Sequence, residues 1–228
     1  MKKSIYLACI SLVVSSLAVA QTIQTPTRPQ ATTPPATSAT MTSTDEFRAS
    51  KLIGTNVKTN DGDALGELND LIISSGDQML QAILSVGGFL GIGERHVAVP
   101  YKDLEITRVH NSHEIFYQTT KDRLEGMPKF SYDESEKMTQ IVRASKLIGM
   151  DVKTGADETI GEVEDLIVTK MDGMPKAILD VGDYLDSGKK LVAIPYNSLK
   201  MSGTEDKEAV YTATKEALAA MPTFTYKP

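Results

Sequence analysis

Between residue 46 and the end of the chain, the apolar positions cluster in short runs of strand length instead of recurring at helical spacing. Runs rich in branched side chains, Leu68 to Ile73, Leu80 to Val86, Val97 to Tyr101 and Glu114 to Thr119, are separated by turn signals at Asp61-Gly62, Gly76-Asp77 and Gly87-Gly88. This pattern predicts a mainly β architecture with the strand spacing of a small barrel or a tight sandwich. Within Leu80 to Val86, Ala82, Leu84 and Val86 alternate onto one face. Ser85, matched later in the chain by Asp180, marks the expected wet face. Farther on, Asp172-Gly173 between Val168 and Ala177 predicts a two-residue hairpin turn. Helical spacing returns only after Thr120 and again after Thr214. Each threonine is a fitting N-cap, followed by Asp122 or Glu216 in the first turn and by the pairs Leu124/Met127 and Leu218/Met221 three residues apart.

These patterns occur twice. Arg48 to Gly54 and Arg143 to Gly149 both read RASKLIG, an offset of 95 residues that holds without a gap through Val57-Lys58-Thr59, Gly66-Glu67, Asp70-Leu71-Ile72, Ala82-Ile83-Leu84, Val86-Gly87 and Pro100-Tyr101. One deletion later the offset is 94 and matches Tyr117, Thr120, Leu124, Met127, Phe130 and Tyr132 to Tyr211, Thr214, Leu218, Met221, Phe224 and Tyr226. The chain is therefore two copies of one domain, residues 45–132 and 143–228, joined by a linker over 133–142.

The segment ahead of the repeats has a different character. Lys2 and Lys3 precede a mostly apolar run from Ile5 to Leu17, and Ala18-Val19-Ala20 is a small-x-small site, so residues 1–20 read as a secretory signal cleaved after Ala20. The run is interrupted by Ser11, Ser15 and Ser16 and is too short for a spanning helix, so stable membrane insertion is not expected after cleavage. Cys9 stands too close to the start to be a lipidation site. As it is the sole cysteine, the mature chain would have no thiol chemistry. Residues 21–44, rich in Thr, Pro and Ala, cannot bury enough surface to offset their ordering entropy and read as a disordered spacer. A periplasmic or secreted location follows from these features.

Composition narrows the function classes. Apolar residues at 41% and charged residues at 24% are an ordinary globular balance. The formal charge of -6 becomes -8 once Lys2 and Lys3 are removed, so no global positive field gathers nucleic acid.

Several motifs taken together carry a family likeness. They are RASKLIG, the Gly66-Glu67-x-x-Asp70 step, the stretch from Gly87 to Gly93, Val97-Ala98-Val99-Pro100-Tyr101 and the closing Met127-Pro128-x-Phe130-x-Tyr132. Each repeat resembles the PRC-barrel domain, named from the cytoplasmic domain of the photosynthetic reaction centre H subunit. The resemblance covers residues 48–132 and 143–226 and implies two tandem small β-barrels, each closed by a short helix. It further implies a domain used mostly for docking on other macromolecules, with no established catalytic residues to carry over. The H subunit's membrane helix and the extra domain of the ribosome maturation factor with this barrel have no counterpart here, so neither function transfers.

Candidate chemistry is sparse. His110 and His113 have HxxH spacing and His96 precedes them, a set conceivable for zinc or nickel. The second repeat has Leu191 in place of His96 and no histidine at all, which favours ordinary loop histidines. Glu67 and Asp70 recur as Glu162 and Asp165. They are read first as acceptors of backbone N–H bonds or ion-pair partners at a turn, and alternatively as a small-ligand or cation site. Asp180, Asp183 and Asp186 lack the order of a calcium loop, and the glycine-rich stretch from Gly87 to Gly93 lacks the end of a phosphate loop. The apolar members of that stretch, Phe89, Leu90 and Ile92, with Tyr184 and Leu185 at the matching place in repeat two, are the expected partner-contact residues. The sequence therefore predicts a non-enzymatic envelope adaptor with a protein partner, no cofactor and no metal.

Overall fold

The computed structural model describes residues 46–74, 80–87, 95–110, 112–133, 141–170, 174–202 and 208–227. The signal-like segment, the spacer, the Asp172-Gly173 turn and Phe89, Leu90 and Ile92 lie outside the described residues.

The first repeat runs β1 (Glu46–Arg48), α1 (Ala49–Leu52), β2 (Asn56–Lys58), β3 (Ala64–Ser74), β4 (Leu80–Val86), β5 (Arg95–Pro100), a 3-10 turn (Tyr101–Asp103), β6 (Leu104–Val109), β7 (Ser112–Tyr117) and α2 (Lys121–Glu125). The second repeats the order as β8 (Ile141–Arg143), α3 (Ala144–Leu147), β9 (Asp151–Lys153), β10 (Thr159–Thr169), β11 (Lys176–Asp180), β12 (Leu191–Pro195), a 3-10 turn (Tyr196–Ser198), β13 (Lys200–Ser202), β14 (Glu208–Val210) and α4 (Lys215–Ala220). Each forms a seven-stranded sheet, and the two orders correspond: β5-β4-β3-β2-β7-β6 and β12-β11-β10-β9-β14-β13. All pairings in these paths are antiparallel except β2 with β7 and β9 with β14, which are parallel.

The seventh strand of each sheet comes from the other repeat. β1 pairs antiparallel with β10, Phe47 opposite Val168, and β8 pairs antiparallel with β3, Val142 opposite Ile73. Each repeat thus lends its opening strand to its sibling, and the apolar core runs unbroken through both, from Phe47 and Leu52 to Ala209 and Leu218.

A β-bulge makes room for this exchange. The register between β3 and β4 slips between Leu68 and Asp70, so the side chains facing the core change parity, from Leu68 to Leu71 and Ile73. Asp70 and Ile72 are left on the opposite face, where solvent would be expected, yet both are buried, Asp70 beneath the Arg143 and Ser145 groups that donate to it. In repeat two the counterparts are Val163 and Leu166 on the core face and Asp165 and Ile167 on the other, with the register shift at the same place.

Second-face burial also corrects the expected wet face of β4. Ser85 is 8% exposed and Asp180 half-buried. On the same face of repeat two, Ile167, Ile178 and Leu191 are covered by Phe224 and Tyr226 of the C-terminal tail, which is held by the Phe224 N–H donating to the Leu191 carbonyl at 2.7 Å. The equivalent tail in repeat one is held by the Phe130 N–H donating to the His96 carbonyl at 2.8 Å.

The helices form where expected. The Thr120 hydroxyl accepts from the Arg123 N–H at 3.3 Å and the Thr214 hydroxyl from the Ala217 N–H at 3.2 Å. Leu124 and Leu218 are fully buried, with Met127 and Met221 packed beside the core. Neither helix belongs to the hydrogen-bonded path of its sheet.

Glycine is required where β3 crosses β4. Gly66 has φ +158°, and a Cβ there would lie 1.9 Å from the Ser85 carbonyl oxygen; at Gly161, φ +148°, the distance to the Asp180 oxygen would be 2.0 Å. This explains why Gly-Glu recurs in both copies.

Candidate functional site

The residues that recur most strictly meet at the two places where the repeats cross. Asp70 Oδ2 accepts from Arg143 Nε at 2.8 Å and from Ser145 Oγ at 2.5 Å; its Oδ1 accepts from the backbone N–H of Leu71 at 2.8 Å and of Ser145 at 3.1 Å. Asp165 repeats the arrangement, accepting from Arg48 Nε at 2.6 Å, Ser50 Oγ at 2.5 Å, Leu166 N–H at 2.8 Å and Ser50 N–H at 3.1 Å. Ser50 and Ser145 occupy the first turns of α1 and α3, whose own N-cap residues, Arg48 and Arg143, provide no side-chain cap. An aspartate from the opposite repeat therefore satisfies an amide that the short helix cannot satisfy itself, and places negative charge at its N-terminus.

A tyrosine completes each crossing. The Arg143 guanidinium lies 3.7 Å from the centroid of the Tyr132 ring, and that of Arg48 lies 3.7 Å from the Tyr226 centroid. Tyr132 and Tyr226 are each braced edge-on by Phe130 and Phe224. Each barrel thus grips its sibling's Arg-Ala-Ser segment with its own aspartate and its own tail tyrosine. The two phenols differ in their surroundings. Tyr132 donates to Asn69 Oδ1, whereas the buried Tyr226 hydroxyl has no hydrogen-bond partner and burial pushes its pKa up to about 12.

This geometry decides the role of the duplicated acids. Asp70 and Asp165 are fully buried, and each accepts four hydrogen bonds, so no lone pair is left for a cation. Glu67 and Glu162 stand on exposed positions of β3 and β10, apart from the aspartates' partners. The two carboxylates of each pair are thus held apart in role, the aspartates in the crossings and the glutamates on the surface.

The remaining candidates are dispersed. His96 sits edge-on to Tyr132 at 5.4 Å, His113 edge-on to Phe47 at 5.7 Å, and His110 occupies a turn with φ 53°. Among the described residues no three His, Cys, Asp or Glu side chains gather as metal ligands. Asp180 caps its own loop by accepting from the N–H of Gly182 at 3.1 Å and of Lys190 at 3.4 Å, while Asp186 pairs with Lys215 at 3.1 Å. Tyr184 and Leu185 are half-buried against the core; the Tyr184 hydroxyl donates to Glu158 at 3.3 Å and Lys215 Nζ lies 5.2 Å from its ring centroid. Their apolar surface is largely spent on their own barrel.

Sequence reasoning singled out Asp70 and Asp165, and expected the recurrent Arg48 and Arg143 to pair with nearby carboxylates, but it did not single out Ser50, Tyr226 and their counterparts. Their signal was the repetition of RASKLIG and of the closing aromatic pair. What repetition conceals is which copy pairs with which.

Two curved sheets with matching strand orders, joined by exchanged strands, define a tandem β-barrel protein with internal pseudosymmetry. The PRC-barrel domain model matches the chain twice, over residues 44–123 and 140–218, and the chain belongs to the PRC-barrel family. Among curated proteins, none matches it.

Proposed function

We propose that this protein is a non-enzymatic, exported docking module of the cell envelope, in which two interlocked barrels on a Thr/Pro-rich spacer hold a surface for another envelope component. The reading rests on family membership, since PRC-barrel domains generally mediate protein–protein interaction. The observation that carries it is the commitment of both recurrent aspartates, with their Arg, Ser and Tyr partners, to holding the repeats together. These groups serve rigidity, and a rigid two-barrel body suits presentation of a preformed surface. The signal-like start at Lys2 to Ala20 and the spacer over 21–44 favour a position outside the cytoplasm.

The contact surface assigned to this role is the apolar stretch with Phe89, Leu90 and Ile92, with a weaker contribution from Tyr184 and Leu185. Affinity capture from envelope extract tests the proposal, using protein from Gln21 onward beside a Phe89→Asp, Leu90→Asp variant shown by circular dichroism to be folded. A protein retained by the wild type and lost by the variant supports the docking role and the surface. Retention by both keeps the role and rejects the surface; retention by neither rejects the role.

A further inference from the structure

The two barrels differ in charge around the groove between α1, β2 and β7. The matching strand pairs, Val57 with Ile115 and Val152 with Ala209, fix the correspondence residue by residue. In barrel two, Lys153 is neutralised at close range by Asp157 and Glu208, both at 2.8 Å. Asp151 stands exposed on the same strand, two residues ahead of it. In barrel one Asn56 stands in the place of Asp151, and in the following turn Asp61-Gly62 replaces Ala156-Asp157, which moves that carboxylate one residue earlier in the chain. Lys58 keeps only Glu114, at 3.5 Å.

What remains is a shallow groove lined by Lys51, Asn56, Lys58, Ser112, His113 and Glu114. Two ammonium groups, an imidazole and neutral amide and hydroxyl groups face one carboxylate, within a chain whose formal charge is -6. Arg108 stands opposite His113 in the β6–β7 pair and adds positive charge from behind, while Phe47 closes off one ring edge. Burial, Arg108 and Lys51 hold the His113 pKa below its ordinary value, so at neutral pH the ring is uncharged and gains a proton most readily when an anion arrives.

We propose that this groove of the first barrel binds a phosphate-type oxyanion. Point-charge lysines with flanking hydroxyl and amide donors suit a compact, multiply charged oxyanion, and a protonated His113 would supply a further charge-assisted donor. The second barrel, with its carboxylates retained, does not share the site.

Titration of the purified protein with inorganic phosphate at constant ionic strength, followed by two-dimensional NMR, tests the assignment. Saturable shifts are expected at the His113 ring and at the Asn56 and Ser112 amides, with the His113 titration midpoint moving up. The Asn56→Asp, Ser112→Asp double variant restores the acid of Asp151 and adds a second carboxylate, both at exposed positions. It should keep the melting temperature and lose about tenfold or more in affinity. Flotation with phosphatidylcholine vesicles, with and without phosphatidylglycerol, distinguishes the source. Flotation that requires phosphatidylglycerol and fails in the variant assigns a lipid headgroup, and saturation without flotation assigns a soluble phosphate ester. Shifts that never saturate, or saturation that survives in the double variant, would overturn the proposal.

Discussion

Arg143 of the second repeat donates to Asp70 of the first at 2.8 Å, and Arg48 of the first donates to Asp165 of the second at 2.6 Å. The two ion pairs are related by the pseudosymmetry of the chain, and each joins a strap to a barrel that is not its own. Since the apolar core is also continuous, the two barrels are expected to unfold as one cooperative unit.

Removing one aspartate should show this. Asp70→Ala leaves the Leu71 and Ser145 amides and the partly buried Arg143 without their acceptor, at a cost of about 3 kcal/mol or more. Differential scanning calorimetry should record one transition shifted downward for Asp70→Ala, and the same for Asp165→Ala. Two separated transitions in the wild type would show that the exchanged straps do not couple the barrels.

Gly66 tests the crossing of β3 over β4. Alanine there combines a positive φ with a Cβ at 1.9 Å from a backbone oxygen, neither of which a rotamer change relieves. Gly66→Ala should lose about 3 kcal/mol in chemical denaturation, as should Gly161→Ala. Gly62→Ala, at φ +92° but with open space around its Cβ, isolates the backbone contribution and should lose only about 1 kcal/mol.

Much of this fold was legible in the chain. Leu80 to Val86 is a strand with the bounds that its branched residues suggest, Thr120 and Thr214 cap their helices, and the repeat offset announces two like domains. Strands of three residues such as β1 and β2 carry too few positions for a period to register. The alternation that should reveal a wet face was erased because the second face is buried too, as at Ser85 and at Ile178, which the aromatic tail covers. The crossing sites were half legible. Asp70 and Asp165 stood out by repetition, but identical RASKLIG segments cannot say whether Arg48 serves Asp70 or Asp165. Only the three-dimensional exchange assigns them.

The tail tyrosines are identical in sequence and unequal in surroundings, which yields a prediction of unequal cost. Tyr132→Phe deprives Asn69 of a donor and should cost about 1 kcal/mol. Tyr226→Phe removes a buried hydroxyl that has no hydrogen-bond partner, so it should be neutral or slightly stabilising while preserving the ring beneath Arg48. Paired thermal melts of the two variants check the difference. Equal losses would mean that the Tyr226 hydroxyl is satisfied in solution.

His113 supplies the clearest dependence on pH. Its pKa in the folded protein is lowered, first by burial and then by Arg108 and Lys51, whereas the unfolded chain titrates near the ordinary value of about 6.5. Between the two values the unfolded state binds more protons, so stability rises with pH in that window. The histidine is therefore without effect on the slope above about pH 7, and stability falls as pH drops through about 6.5 toward the folded value. His113→Gln also loses the ring contact with Phe47, which lowers the melting temperature by the same amount at every pH. The diagnostic quantity is the change in the difference between wild type and variant: it should be largest at pH 8 and shrink at pH 5, where the wild type bears the cost of the lowered pKa. Lys51→Ala removes one cause of the lowering and should flatten the wild-type slope without abolishing it, because burial and Arg108 remain.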